Sequence, residues 1–355
     1  AIIYSLVIKN LFSEYNSNTN KGKLQYIEDY MKKFLAIYIF LIAVNLAVPF
    51  AYSKIYGKGK EPAPEGGQTD NSRENRQTVF LYDLEKEKVT EIPLLDYLIG
   101  CAACEMPASY EENAIKAQMI AAHSYYLYCK ENPGSIETDY ITFNESNMQT
   151  WRSKETLNRY WGTSYYDYYE KFTRCANRVI NSVVTYGGQP ALTSYFAMSR
   201  GKTESSENRW GKALPYLVSV ESPYDVLSED NIKIKEFTVS ELYTMLKSYF
   251  PNLEISEETP ENWFGDITYF DSGYAQYVTI GIDKVPADQL RDCLKLQSTC
   301  VMFFYEDGKF SAVTKGYGHG VGLSQYGANQ MSQNGSDYKE ILSHYYPGTE
   351  ITEIS

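Results

Sequence analysis

An apolar run near the amino-terminal end limits what this chain can fold into. Residues 34–52, FLAIYIFLIAVNLAVPFAY, carry no charged side chain. A helix of that length rises about 28 Å, close to the thickness of a bilayer's hydrocarbon core. Lys32 and Lys33 precede the run and favour a cytoplasmic amino-terminal side, although three lysines also follow it. We predict a single-pass anchor in the cell membrane with the body outside the cytoplasm. A cleaved signal peptide and a buried core helix are the alternatives.

The anchor divides the chain into four segments. Residues 1–33 are an N-terminal extension, either cytoplasmic or not part of the natural protein, because Met31 and its two lysines resemble a natural start. Residues 53–77 are rich in charged residues, Gly and Pro, which predicts a flexible tether. Residues 78–355 alternate strand-like and helical patterns, which predicts one extracytoplasmic α+β domain of short strands and helices. The clearest helical patterns are a helix that opens near Pro93 and the segments 111–131, 238–250 and 336–346.

Charge is spread unevenly along the chain. Residues 1–60 contain eight Lys and three acidic residues, whereas the remainder contains 25 basic and 42 acidic residues. A body with a net charge of −17 cannot neutralise phosphates well, so nucleic acid is not expected as a partner. The chain also has 34 Tyr against 15 Phe. Tyrosine suits sugar-binding surfaces, and codon bias is the alternative reading.

The six cysteines give no clear metal or redox motif. Cys101 and Cys104 form a lone CxxC, which on a helix is typical of small packed side chains. Two cysteines three positions apart on a helix are poorly placed for a disulfide, so we predict that they are unbridged. We expect no metal and no cofactor.

Three segments carry residues suited to chemistry. In CEMPASYEENAIKAQMIAAHSYYL (104–127), Glu105 lies in an apolar stretch beside Met106-Pro107. A carboxyl group in apolar surroundings has its pKa raised and can act as a general acid near neutral pH. An ordinary residue at a helix start is the alternative. In the segment 195–225, seven polar or turn residues precede Trp210, which suits a sugar groove or a solvent loop over a buried Trp.

The third segment is GYGHGVGLSQYGANQM (316–331). Five glycines surround His319 and a Ser-Gln-Tyr sequence. So many glycines disfavour a regular helix and let the backbone approach a ligand closely. The segment lacks the Gly-Lys-Ser/Thr ending of a phosphate-binding loop.

These three segments, in this order and spacing, resemble the stage II sporulation protein D family of membrane-anchored lytic transglycosylases. The family pattern YLxGVVAxEMPASFExEALKAQAVAARTY is similar to Tyr97–Tyr125, and SxxGxTExSExxWGxxxPYLxSVxSPxD is similar to Ser199–Asp225. The third pattern, which opens GxGHGVGxSQYGA and closes HYYPGTxI, is similar to Gly316–Ile351. The resemblance covers residues 78–355.

The resemblance places the family's catalytic acid on Glu105. It implies cleavage of the MurNAc–GlcNAc bond of peptidoglycan without water, which leaves a 1,6-anhydro sugar and needs one carboxyl group rather than the two of ordinary glycosidases. It also implies that the substrate is a glycan strand from which the stem peptides have been removed. The expected partners are an amidase or endopeptidase and a membrane scaffold of the engulfment machinery, at a mother-cell membrane that faces the intermembrane space. Candidate substrate-binding residues in the three segments are His123, Tyr195, Ser199, Gly201, Lys202, Thr203, Trp210, His319, Ser324, Gln325 and Tyr326.

The chain departs from the family pattern at several positions. His123 stands where the family has Arg, and Val218 stands where relatives often have Lys. The His-x5-Cys-x5-Cys zinc run of some relatives aligns near Ser135, Ile141 and Met148, so no zinc is expected. Loss of the two basic positions favours a catalytically silent glycan-binding scaffold, whereas Glu105 and the intact GHGVGLSQYGA favour an enzyme. A non-sporulation relative that acts in vegetative wall turnover is the alternative that comes next after a sporulation enzyme.

Overall fold

The computed structural model describes residues 77–134, 140–144 and 150–354. The predicted extension, anchor and nearly all of the tether lie outside these residues. Among the helices within the described ranges, none combines the length and the hydropathy that a membrane span requires.

Helices and short strands alternate along one compact unit, Ser72–Ser355, which confirms the α+β class. The strands in its described part are β1 (Thr78–Asp83), β2 (Lys88–Pro93), β3 (Thr142–Phe143), β4 (Ser182–Tyr186), β5 (Gln189–Pro190), β6 (Tyr195–Phe196), β7 (Ile232–Thr238), β8 (Phe264–Tyr269), β9 (Ala275–Ile280), β10 (Asp283–Pro286), β11 (Val301–Glu306), β12 (Lys309–Lys315), β13 (Leu323–Ser324) and β14 (Glu350–Glu353). The helices there are α1 (Leu94–Glu105), α2 (Glu112–Glu131), α3 (Lys154–Trp161), α4 (Tyr165–Val179), α5 (Ser206–Trp210), α6 (Val239–Tyr249), α7 (Ala287–Leu294), α8 (Gln325–Gln333) and α9 (Tyr338–Tyr345).

Buried apolar side chains form two separate cores in this unit. We call the described residues of 77–231 and 316–354 the main lobe, and residues 232–315 the inserted lobe. The inserted lobe leaves the main lobe after a 3-10 turn, Glu229–Asn231, and returns at Gly316. The backbone N–H of Gly316 donates to the carbonyl of Asn231 at 2.8 Å, which closes the insertion at its base.

Helix α1 is apolar on nearly every side, so the main lobe covers it almost completely. Gly100 leaves no room for a larger residue, because an added Cβ would lie 2.3 Å from Trp151. The helix ends at Glu105 because the residue before a proline is pushed out of the helical region. Met106 precedes Pro107 and has an extended backbone, with φ −122° and ψ 139°. Glu105 therefore ends one helix, and the alternative of a helix-start residue is wrong.

Helix α2 uses small residues to pack closely against its neighbours. Ala114, Ala117, Ala121 and Ala122 are fully buried, and the helix packs against α1, α4 and α8. Strand β13 pairs in parallel with β6, with Leu323 opposite Tyr195 and Ser324 opposite Phe196. This short pairing joins the second sequence segment to the third and brings both to the end of α1.

The inserted lobe consists of two three-stranded sheets and two helices. Its sheets have the orders β11-β12-β7 and β10-β9-β8. Trp263 is fully buried and stacks on Phe310 with ring centroids 5.0 Å apart. Thr238 caps helix α6 and forms a capping box with Glu241, so the helix predicted over 238–250 begins after Thr238.

The glycine-rich segment differs in part from its prediction. Gly316, Gly318, Gly320 and Gly322 all have positive φ, between 78° and 115°, so no helix forms there. From Gln325 onward, however, the segment forms helix α8, capped by the Ser324 hydroxyl.

Candidate active site

A cleft of about 770 Å³ opens in the main lobe beside the end of α1. Its walls are mainly aromatic and apolar, and it combines residues from all three sequence segments. The described residues that line it are Glu105, Tyr125, Tyr128, Tyr140, Ile141, Thr142, Thr150, Leu192, Ser194, Tyr195, Trp210, Lys212, Leu214 and His319. Glu105 is the only carboxylate in this set, and Lys212 is its only permanent cation.

Glu105 is partly buried in the cleft and is held by one hydrogen bond. The Gln325 Nε2 atom donates to Glu105 Oε2 at 2.9 Å and also lies 3.4 Å from Gln118 Oε1. Gln325 comes from the first turn of α8 and Gln118 from the middle of α2, so two helices fix the carboxyl group from one side. Burial raises the pKa of Glu105, while the hydrogen bond from Gln325 and the charge of Arg152 lower it. The net direction is upward, as the sequence analysis predicts for a general acid.

Tyr195 also lines the cleft, close to Glu105. Burial raises the pKa of its phenol well above the usual range, and the nearby Glu105 carboxylate contributes to that rise. The phenol therefore stays protonated and can donate a hydrogen bond. Tyr125 and Tyr128 of α2 add two further phenols to the lining.

Trp210 and His319 form one wall of the cleft. Their ring centroids are 5.5 Å apart, and Trp210 is 45% exposed. Both nitrogens of His319 are engaged: Nδ1 accepts from the backbone N–H of Val321 at 3.1 Å, and Nε2 lies 3.0 Å from the Tyr195 carbonyl. Nε2 therefore carries the proton. Burial, reinforced by the charge of Arg209, lowers the pKa of His319 to about 4, so the ring is neutral and has no nitrogen free to act as a base.

Ser199 and Ser324 lie in a buried network away from the cleft. Both donate to Asp225, the Ser199 backbone N–H to Oδ2 at 2.8 Å and the Ser324 hydroxyl to Oδ1 at 2.9 Å. Asn231 ties the network together by donating to the Ser199 and Asp225 carbonyls. Burial raises the pKa of Asp225 despite these hydrogen bonds. The network joins the second and third segments behind the site.

The remaining candidates of the second segment also lie outside the cleft lining. Lys202 forms an ion pair with Glu221 at 3.3 Å. Thr203 is fully buried, and its hydroxyl accepts from the backbone N–H of Val220 at 2.9 Å. Gly201 has φ +115°, and its N–H donates to the Ser199 hydroxyl.

His123 and Tyr326 are also separated from Glu105. His123 is buried on the side of α2 that faces Ser182, where burial lowers its pKa to about 4. Tyr326 is partly buried near Tyr110, and its backbone N–H donates to the Ala197 carbonyl. Val218 is exposed and is not part of the described cleft lining. Of the eleven predicted substrate-binding residues, Tyr195, Trp210 and His319 line the cleft and Gln325 contacts Glu105. A substrate-binding role stays a prediction for all eleven.

For several residues in or behind the site, the sequence gives no sign of the role that the structure shows. Arg152 lies in a segment without any motif, yet its guanidinium reaches the end of α1. Asp225 ends the second motif, and its Ser-Pro-Tyr-Asp context gives no sign of a buried hub. Leu192 and Leu214 resemble any other apolar residues. Tyrosine abundance is the one general signal, since Tyr125, Tyr128, Tyr140 and Tyr195 all line the cleft.

The cysteines have no bridge in the described residues. Cys101 is buried and Cys104 partly buried, and neither forms a disulfide. The described ranges contain no group of three or more His, Cys, Asp or Glu side chains able to hold a metal ion. Ser135 and Met148 of the aligned zinc run lie outside the described residues, and the expectation of no metal stays a prediction.

These features define an α+β protein with one raised-pKa carboxyl group in an aromatic cleft. A family model described as stage II sporulation protein matches residues 82–186, a range that includes Glu105. Stage II sporulation protein D of Bacillus subtilis (strain 168) is 32% identical over 332 residues, which cover 90% of this chain and 94% of that protein. Its counterpart in Bacillus amyloliquefaciens is 31% identical over 336 residues, with the same coverage.

The chain therefore belongs to the stage II sporulation protein D family, a family of sporulation proteins. A more distant relative, the amidase enhancer of Bacillus subtilis (strain 168), is 26% identical over 302 residues, which cover 72% of this chain and 40% of that protein.

Proposed function

We propose that this protein is a lytic transglycosylase. It cleaves the MurNAc–GlcNAc bond of peptidoglycan strands whose stem peptides have been removed, and it leaves 1,6-anhydro products during engulfment. The proposal rests on one observation above all: Glu105 is the sole carboxylate among the described residues that line an aromatic cleft. A glycosidase that uses water needs two carboxyl groups that flank the bond, whereas an intramolecular reaction needs one.

The chemistry assigns two successive roles to Glu105. The protonated carboxyl group donates its proton to the glycosidic oxygen, the bond between C1 of MurNAc and that oxygen breaks, and GlcNAc leaves with a free 4-hydroxyl. The Glu105 carboxylate then takes the proton of the MurNAc 6-hydroxyl while O6 bonds to C1. The 1,6-anhydro ring closes and Glu105 is again protonated. No water is consumed.

The surroundings of Glu105 fit both roles. Burial raises its pKa, which keeps a fraction of the group protonated for the first step. The hydrogen bond from Gln325 and the charge of Arg152 favour the carboxylate of the second step. The group therefore has support in each protonation state.

The cleft walls fit a glycan strand. The exposed face of Trp210 offers a surface on which a sugar ring can stack, and Tyr125, Tyr128 and Tyr195 place apolar rings with polar tips beside it. The proposal also includes a membrane-anchored location through residues 34–52, with the cleft outside the cytoplasm. An amidase or endopeptidase that removes stem peptides, and a membrane scaffold, are the proposed partners.

Glu105→Gln tests the proposal. The amide keeps the shape of the side chain but cannot exchange a proton, so we expect the purified full-length protein to form anhydro-ended products at least about 100-fold more slowly. Mass spectrometry of digested peptide-free glycan measures those ends. Glu111→Gln is the matched control, because Glu111 is exposed at the start of α2 and lies outside the described cleft lining. An undiminished rate in folded Glu105→Gln would refute the assignment.

A glycan-binding scaffold is the second candidate. The similarity to a protein named amidase enhancer favours it, because such a protein would act by promoting another enzyme. Under this alternative, the wild-type protein releases no anhydro ends. Co-sedimentation with peptide-free glycan would then drop in Glu105→Gln, since Glu105 would be a contact rather than an acid.

A further inference from the structure

Arg152 is a buried cation next to the end of the helix that carries Glu105. Only 8% of its surface is exposed. Its Nη1 atom donates to the Ala103 carbonyl at 3.2 Å, two residues before Glu105. Its guanidinium lies 4.4 Å from the ring centroid of Tyr160, in cation–π geometry. Its buried Nε has no hydrogen-bond partner among the described residues.

The guanidinium of Arg152 lies where it can affect the end of α1 as well as fill the core. The last carbonyl groups of a helix have no partner within the helix and carry partial negative charge, so a cation there both satisfies and stabilises the helix end. A neutral amide could satisfy the Ala103 carbonyl equally well. The burial of a full guanidinium at this point, with one N–H left unpaired, indicates that its charge serves something beyond that hydrogen bond.

We propose that Arg152 is a positioning residue for Glu105: Arg152 fixes the end of α1 and supplies one permanent positive charge near the carboxyl group. Arg152 does not line the cleft in the described residues, so it acts through Glu105 rather than on the glycan. This places a guanidinium near the acid even though the chain has His123 where the family pattern has Arg. His123 faces Ser182 instead and supplies no charge to the site.

The other ionisable groups around Glu105 do not duplicate this charge. On α1 itself, Cys101 has its pKa raised well above the usual range by burial and stays neutral. On α2, burial raises the pKa of Tyr125, and on β6 burial does the same for Tyr195. From the glycine-rich segment, His319 is neutral for the reasons given above.

Two further groups complete the surroundings of Glu105. Helix α8 contributes the uncharged amide of Gln325. Lys212 is a second cation, but it lies on the exposed part of the lining, where its Nζ is 3.4 Å from the Tyr128 hydroxyl. Arg152 is therefore the one buried cation among the described groups around Glu105.

The charge has a definite effect on the acid. A nearby positive charge favours the carboxylate, so Arg152 lowers the pKa of Glu105 against the rise that burial causes. Loss of the charge raises that pKa. The protonated form then persists to higher pH, and the carboxylate becomes less available for the second proton transfer.

Arg152→Gln in the full-length protein tests the proposal, with Arg152→Lys as the charge-retaining variant. Arg178→Gln is the matched control, because Arg178 is exposed on α4. We expect Arg152→Gln to lower kcat by about 10- to 100-fold, because loss of the positive charge makes the Glu105 carboxylate less available for the second proton transfer. KM should stay unchanged, and the alkaline limb of the pH–rate profile should move to higher pH. Arg152→Lys should return the limb towards its wild-type position, and Arg178→Gln should match wild type.

A measurement without substrate separates this proposal from the proposed function, on which its kinetic part rests. Infrared difference spectra between each protein and its Glu105→Gln counterpart follow the carboxyl titration directly. The protonated band should persist to higher pH in Arg152→Gln than in wild type or Arg152→Lys. That result supports the proposal even if no anhydro product is ever formed. If Glu105 titrates at the same pH in a folded Arg152→Gln variant as in wild type, the Arg152 proposal is wrong, whatever activity Glu105→Gln shows.

Discussion

The main lobe and the inserted lobe contribute to the site in different ways. All the described residues that line the cleft come from the main lobe, and none comes from 232–315. The inserted lobe instead supports one cleft wall from behind. Ser272 donates to the buried Glu204 carboxylate at 2.5 Å, and the Gln297 carbonyl accepts from Gly318 at 2.9 Å. The cleft lining and the support of its wall therefore belong to two separately packed cores.

Substitution of Trp263 in the inserted core should give the largest effect on stability. Truncating a buried tryptophan to alanine costs about 3–5 kcal/mol, so Trp263→Ala should lower the free energy of unfolding by that amount. If the inserted lobe only supports the cleft wall, kcat measured without urea, where the variant is still folded, should change little. Urea unfolding and anhydro-product kinetics measure the two quantities.

Phe172→Ala is the matched comparison in the main lobe. Phe172 is fully buried in α4, which packs against α1 and α2. A similar loss of stability should here come with a lower kcat, because the end of α1 carries Glu105. Equal losses of kcat in Trp263→Ala and Phe172→Ala would show that the two lobes do not differ in their contribution to the site.

Acid should destabilise the main lobe through its buried histidines, since the inserted lobe contains none. The pKa of His123 falls from 6.5 to about 4 on burial, so the unfolded chain binds the extra proton. The contribution of His123 to stability is complete above pH 6.5 and is lost as pH falls towards 4. Replacing it with Gln should remove about 2–3 kcal/mol of the stability lost between pH 7 and 4.5.

The measurement is the difference in urea unfolding between wild type and His123→Gln at the two pH values. A difference is needed because burial raises the pKa of Glu105 and of Asp225, so these groups stabilise the fold on acidification and oppose the histidines. His123→Asn serves as a second neutral variant. Identical pH slopes in wild type and both variants would show that His123 is not buried as described.

The smallest expected effect concerns the link between the lobes. Ser272→Ala removes one of the three hydrogen bonds to the Glu204 side chain, at a cost of about 1–3 kcal/mol in the free energy of unfolding. Glu204 lies two residues before the short helix α5 that carries Trp210. We expect a higher KM, an unchanged kcat and altered Trp210 fluorescence. Ser311→Ala on the outer side of β12 is the control, and an unaltered KM in Ser272→Ala would separate the inserted lobe from the cleft.

Local features determined much of the fold before any contact was known. A short apolar run indicates β1, small residues at helical spacing indicate α2, and the proline after Met106 accounts for the end of α1 at Glu105. Each depends on residues within a few positions of one another. The apolar stretch around Glu105 likewise predicts the raised pKa, whose largest cause is burial.

The tertiary structure alone decided which polar residues meet Glu105. Gln325 reaches it across 220 positions of sequence, and Arg152 comes from a segment without a motif. Ser199 and Ser324 are motif residues like Gln325, so the sequence gives no reason to place them differently. In the structure they donate hydrogen bonds to the buried Asp225 instead. A motif records which residue types occur together, but the direction of each side chain depends on the packing of distant helices. That packing sends His123 towards Ser182 and brings Arg152 to the helix end that bears Glu105.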